Sequence, residues 1–264
     1  MEKRTGIVTV AALVTALVVT GCGGDESAET AETVSEADNL SAATAAPEAG
    51  LPQGGEPVQL DPADFSLEID NPYWPMKPGS RWVYRETDTE GTVQRVVVTV
   101  TDRTKTIANG VEARVVHDVV TEKGVPVEVT DDWYAQDADG NIWYLGEATT
   151  GYENGKPTTT AGSFEAGADG AQPGIILPAD PQPGMTYRQE YYEGEAEDEG
   201  EIVSVDEQAE VPSGHFKDAL MTKDTNSLEP KVLEFKFYAR EVGPVLAVSV
   251  SGGSDREELV SFRP

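Results

Sequence analysis

The chain has 264 residues, with 19 Lys and Arg against 48 Asp and Glu, for a formal net charge of −29. So acidic a surface repels phosphate backbones and anionic headgroups, which argues against nucleic acid as a partner. A single cysteine excludes a disulfide framework and a Cys-based zinc site.

Lys3 and Arg4 form a basic start, and Ile7 to Val19 then run for 13 residues without a charge. A membrane span needs about 20 residues, so this run fits the apolar segment of a secretory signal. It ends in Val19-Thr20-Gly21-Cys22, which resembles the lipobox of bacterial lipoproteins. The resemblance implies cleavage after residue 21, a diacylglyceryl group on the Cys22 sulfur, and an extracytoplasmic protein held to the membrane by acyl chains of the palmitate type. Two or three chains anchor firmly where one is marginal. Without residues 1–21 the balance is 17 basic against 47 acidic side chains, or −30.

Residues 22–61 are dominated by Ala, Glu, Ser, Thr, Gly and Pro and lack aromatics. Such a segment cannot bury enough apolar surface to offset ordering, so it reads as a disordered acidic tether. Its reach is on the order of 35 Å.

All 19 aromatic residues lie from Phe65 onward, and residues 62–264 read as a single β domain. Val96, Val98 and Val100 share one face of a strand. Val111, Ala113, Val115, His117 and Val119 alternate with Glu112, Arg114 and Asp118, and Leu233, Phe235, Phe237 and Ala239 alternate with Glu234, Lys236, Tyr238 and Arg240. Period two marks half-buried antiparallel strands, with the apolar set expected inside. Glu90-Gly91, Asn109-Gly110, Lys123-Gly124, Asp139-Gly140 and Ser213-Gly214 punctuate them.

Two stretches look related. "KPGSRWVYRE" and "QPGMTYRQE" share Pro-Gly-x-x-aromatic, and Gly110 to Tyr134 and Gly214 to Tyr238 are both 24 residues. The expectation is an all-β antiparallel curved sheet or flattened barrel built from two sequence-related halves, about 77–147 and 182–250, which close one core on each other. Gly, Thr and Pro-rich residues 151–181 read as a long crossover loop between them.

Candidate chemistry is sparse. Hydrolase elbows, zinc-protease, Walker and dinucleotide motifs are missing. Asp137, Asp139 and Asn141 fit alternate positions of a calcium loop, but Gly140 falls fourth and Ala148 twelfth, so the stretch reads as a strand-to-strand turn. His117 sits among apolar neighbours and reads as a core histidine, with metal binding or catalysis the alternative. Asp131 replaces an inward apolar residue, so it marks either a bulge or a buried acid paired with an arginine. Six carboxylates between Glu193 and Glu201 read as a solvated, flexible loop. Neighbouring Trp143 and Tyr144 must face opposite ways, and one of them could stack on a ligand.

The stretches "PGSRWVY", "VPSGHFKDALMTKD" and "FYAREVGPVL" resemble uncharacterised extracytoplasmic β domains of bacteria over residues 70–262. The resemblance implies no activity and no site residues. The expected role is a non-enzymatic module without cofactor or metal, which binds an apolar small molecule or an envelope protein in the concavity of its sheet. The alternatives are a hydrolase of envelope polymers using paired carboxylates, and a purely structural lipoprotein.

Overall fold

A computed structural model describes residues 50–264. The expectations for the signal, for Cys22 and for the tether up to residue 49 lie outside the described residues. The strands are β1 (Phe65–Ser66), β2 (Arg81–Thr87), β3 (Val93–Thr106), β4 (Glu112–Glu122), β5 (Val125–Asp137), β6 (Ile142–Glu153), β7 (Lys156–Thr159), β8 (Phe164–Glu165), β9 (Gln172–Leu177), β10 (Thr186–Tyr192), β11 (Ala196–Val211), β12 (Gly214–Asn226), β13 (Leu233–Ala239), β14 (Gly243–Ser251) and β15 (Arg256–Arg263).

Sequence neighbours pair antiparallel from β2 to β6 and from β9 to β15. β6 joins β9, and β15 returns to β2, so twelve strands close a barrel. The expected all-β antiparallel fold is present, in its closed form. Closure leaves the main staves without an unpaired edge. β1 pairs with the far end of β5, while β7 and β8 flank β6.

Two boundaries differ from the sequence reading. Residues 151–181 are not a structureless crossover, because they supply β7, β8 and the stave β9, whose Ile175 and Leu177 are buried. Order also begins before residue 62. The buried Arg188 guanidinium donates to the carbonyls of Gly54 (2.6 Å) and Glu56 (2.7 Å), fixing that segment beside β10.

β2–β6 and β10–β14 are both five-strand meanders. Their Tyr134 and Tyr238 both point inward and flank Trp74, with ring centroids 5.6 and 6.0 Å away. An up-and-down barrel produces that correspondence by itself, so relatedness of the halves rests on the sequence landmarks alone.

The barrel's two ends are built differently. Turns 107–111, 138–141, 178–185, 212–213 and 240–242 lie at one end, and turns 88–92, 123–124, 154–155, 193–195, 227–232 and 252–255 at the other. Residues 67–80 cover the first. Pro72, Pro75 and Pro78 keep this segment out of helix and ladder. Its backbone groups find other partners: Met76 N–H donates to Ile69 O (2.9 Å), Glu241 N–H to Pro72 O (2.8 Å), and Asn71 Nδ2 to Gly140 O (3.1 Å) and Pro178 O (3.2 Å). Ile69, Tyr73, Trp74 and Met76 are all buried there, forming an apolar plug. Gly243 makes room for it: its φ is 102°, and a Cβ would lie 2.6 Å from the Trp74 ring. Because Trp74 wedges between two staves on opposite sides of the chain, Trp74→Ala is expected to cost about 3–5 kcal/mol in urea unfolding. A loss below about 1 kcal/mol contradicts the plug.

Candidate functional site: the acid belt and its cavity

Inside the barrel the polarity is opposite to the sequence expectation. On β13, Glu234, Lys236 and Tyr238 are buried, whereas Leu233, Phe235 and Phe237 lie partly exposed on the outer face. On β4, Asp118 and Val120 are buried and His117 turns outward. β3 follows the expected rule, with Val96, Val98 and Val100 buried, and so does the start of β4 with its preceding turn, where Val111, Ala113 and Val115 are buried. A period of two identifies two faces, but it does not say which one a closed barrel turns inward.

The result is a belt of buried carboxyl groups: Glu86, Asp118, Glu128, Asp132, Glu147, Glu190, Asp198, Asp224, Glu234 and Glu257. Lys236 is the cation among them, and the other buried cation, Arg188, binds backbone carbonyls. Strand register sets eight of the acids directly opposite one another or nearly so: Glu86 against Glu257, Asp132 against Glu147, Glu190 against Asp198, and Asp224 against Glu234. Like charges so placed repel. Their neutralisation is visible in the geometry.

Lys236 Nζ bridges one pair, 2.8 Å from Asp224 and 3.4 Å from Glu234. In a second, the Tyr144 hydroxyl lies 2.9 Å from both Asp132 Oδ1 and Glu147 Oε2. One hydroxyl has one proton to donate, so the other contact requires a protonated acid. In a third pair, Glu190 and Asp198 face each other across β10 and β11, and burial together with the facing acid raises Glu190. Burial is the main force raising these groups' affinity for protons. It lifts Glu86 to about 9, helped by Asp255 and Glu128. Asp132 rises to about 8 against the opposing Tyr144 bond. Glu234 reaches only about 7, because Lys236 favours its charged form, and Asp198 about 6, because Glu190 and then Lys236 favour its charged form. Burial also raises Asp118, Glu147, Glu190 and Glu257. Lys236 moves the other way from a buried amine: burial opposes its charge, but Asp224 and Glu234 outweigh it.

A cavity of about 30 Å³ opens into this belt beside turn 227–232, lined by Asp198, Asp224, Glu234, Lys236, Gln189 and Val232 among others. That is room for one or two waters, far below an apolar ligand pocket of several hundred Å³. Tyrosines and acids are buried in the barrel interior. Among the described residues no three His, Cys, Asp or Glu side chains converge on a point that could hold a metal.

The residues singled out from sequence lie elsewhere. Asp137 accepts from the backbone N–H of Asp139 (3.1 Å) and Asn141 (2.8 Å), from Asn141 Nδ2 (2.8 Å) and from Trp143 Nε1 (2.7 Å). Gly140 has φ 94°. The stretch is a corner between β5 and β6, with its acid occupied by the turn. Trp143 faces outward under Phe65 (6.0 Å, edge-on), and Tyr144 faces inward. Phe235 faces outward, contrary to the expected inward position, and Asp131 faces outward with it. Arg103 grips Asp131 through two bonds of 2.7 Å, and His117 Nδ1 lies 2.7 Å from it. Partial burial works against the Asp131 charge, but the Arg103 and His117 bonds prevail and hold its carboxyl below the usual range. Nor is the acidic run a free loop. Glu193 and Glu195 occupy the turn, while Ala196 onward is β11 and Asp198 is buried.

The geometry defines the class as a closed up-and-down barrel with a plugged end and an acid-lined end. No family model matches the chain, and no curated protein matches it. Among solved structures it is similar to a "putative lipoprotein" from Parabacteroides distasonis, at 12% identity over 72% of this chain and 98% of that one, with a TM-score of 0.39. That similarity is too slight to define a shared fold.

Acids whose folded affinity for protons exceeds the unfolded one contribute stability in full below the unfolded value of about 4. The contribution is lost as pH rises, through about 6 for Asp198, 7 for Glu234, 8 for Asp132 and 9 for Glu86. Thermal melts are therefore expected to show Tm falling steadily from pH 5 to pH 9. Glu86→Gln is expected to gain about 1–3 kcal/mol at pH 9 and little at pH 5. A Tm that rises over this window contradicts the protonated belt.

Proposed function

We propose that the chain is a lipoprotein anchored through Cys22 on the extracytoplasmic side of the membrane, and that its barrel is a non-enzymatic module binding a basic envelope partner at the acid-lined end. The lipobox, the acidic segment behind it and the net charge support the location. The observation that carries the binding role is an asymmetry of the surface. Exposed large hydrophobic residues include Val93, Val125, Leu228, Val250 and Val260, and the first four border turns of one end. Asp88, Glu90, Glu193, Glu195, Glu229 and Asp255 occupy turns of that same end. Apolar side chains set among like charges make a poor water interface and a good one for a partner with basic and apolar groups. The partner is a protein and not a bilayer, because anionic headgroups are repelled there.

Burial weighs against the hydrolase alternative. Asp132, Glu147 and Glu190 are at most 4% exposed, closed off from a polymer. The outer face carries Arg103 with Asp131, Lys223 with Glu201 and Arg85 with Glu258 along its strands, as suits a barrel in water.

The test is native mass spectrometry of the chain from Gly23 onward, expressed in its own host and isolated at low salt. Retention of a basic partner, lost when Val93, Val125, Leu228 and Val250 are replaced by serine, is expected. A bare chain, or retention unchanged by the four serines, contradicts the reading.

A further inference from the structure

We infer that the outer wall formed by β13, β14, β15, β2 and β3 is a docking face for an anionic bilayer. Strand register builds the wall. Phe235 stands opposite Val248, and Val248 opposite Arg256. Phe237 stands opposite Leu246, and the row continues through Glu258 and Arg85 to Arg95. Farther along the same strands Arg263 stands opposite Arg81. Directly opposed residues share a face, and Phe235 and Phe237 fix that face as the outer one. A bulge between Leu259 and Ser261 leaves Val260 exposed on β15.

Two properties coincide here. The first is charge. Arg81, Arg85, Arg95, Arg256 and Arg263 lie on the wall, with Glu258 between Arg85 and Arg256 and paired with both. Among the described residues Arg81, Arg95 and Arg263 take part in no ion pair. Arginine opposite arginine, twice, is unfavourable for the domain alone, and acids are plentiful in a chain of net charge −29. An external anion accounts for the placement. The second property is apolar surface: Phe235, Phe237 and Val248 are partly exposed beside these arginines, and Val260 is exposed among them.

The occupant must be anionic and apolar at once across several strands. A bilayer meets both demands, because its phosphates accept guanidinium forks and its interfacial acyl carbons receive apolar side chains. The chain's own residues 24–49 carry seven acids and no base, but their large aliphatics are Val34 and Leu40, too little to cover two phenylalanines. Negative charge elsewhere on the barrel does not forbid docking, since it is screened beyond about 10 Å at 0.1 M salt. Proximity to the membrane rests on the proposed Cys22 anchor: the 28 residues from there to Gly50 reach on the order of 30 Å. Docking on this wall lays the barrel axis along the membrane, so the acid-lined end opens sideways and clear of the headgroups that repel it.

The test is co-sedimentation of the unacylated chain from Gly23 onward with phosphatidylglycerol vesicles at low salt, with phosphatidylcholine vesicles as the comparison. Saturable binding to the first, released by high salt, and little binding to the second are expected. Arg81→Gln, Arg95→Gln and Arg263→Gln combined should weaken it about tenfold or more. Val260→Ser should weaken it further, and Lys156→Gln on the exposed β7 should leave it unchanged. The three arginines break no ion pair when replaced, and a melt confirms folding. A second readout needs no variant: phenylglyoxal should modify Arg81, Arg95 and Arg263 in the free chain and spare them on phosphatidylglycerol, whereas exposed Arg240 reacts in both. Protection without vesicles assigns the wall to the chain's own acidic segment and overturns bilayer docking. Absence of phosphatidylglycerol binding, or binding indifferent to the three substitutions, overturns it too. Because the chain tested carries no acyl group, that failure is distinct from failure of the Cys22 anchor, which the mass of the mature N-terminus decides.

Discussion

Everything in this barrel depends on how ten buried carboxyl groups are kept from repelling one another. A buried unpaired carboxylate costs far more than folding can supply, so such a group either pairs or takes up a proton. Lys236 pairs two of them. Tyr144 arbitrates between Asp132 and Glu147, and burial opposite Asp198 raises the proton affinity of Glu190. Protons are thus structural components of the interior, much as a metal is in other small domains. Arranged this way, the staves are held by a hydrogen-bonded polar network at one end and by close apolar packing at the other.

That division explains how a domain without disulfides keeps a defined shape. Trp74, Ile69 and Met76 fix the plugged end by burial, and Trp82 adds a bond from its Nε1 to Val242 O (2.7 Å) and a stack on Phe262 at 5.1 Å. Tyr134 stacked on Tyr144 at 5.0 Å forms part of the boundary between the two regimes. A cavity opens at the acid end, beside turn 227–232. Close apolar packing and the polar network therefore occupy opposite ends of the barrel.

Much of the fold was legible. Alternation and turn dipeptides led to an all-β antiparallel curved sheet or flattened barrel with its first turns correctly placed. The site was not legible, for a physical reason. Leu233-Glu234-Phe235-Lys236-Phe237-Tyr238 reads as an apolar face and a polar face, and the usual hydrophobic argument turns the apolar one inward. Here Lys236 goes in because Asp224 waits on β12, and Glu234 shares the same ammonium; a partner on another strand is invisible along one. His117 and Asp131 misled in the same way, since the contact that explains them, Arg103, lies on β3. A signal did exist: folding the hairpins at their turns brings Glu190 opposite Asp198 and Asp224 opposite Glu234. Two like-charged pairs across neighbouring hairpins point to an interior that titrates.

The most direct test of that interior is infrared difference spectroscopy of the carboxyl band at neutral pH, comparing the native chain with the chain unfolded in urea. Unfolded acids are ionised there, having reference values near 4. The native protein should show protonated carboxyl absorption that vanishes on unfolding. A native spectrum containing only ionised carboxylates would contradict the account.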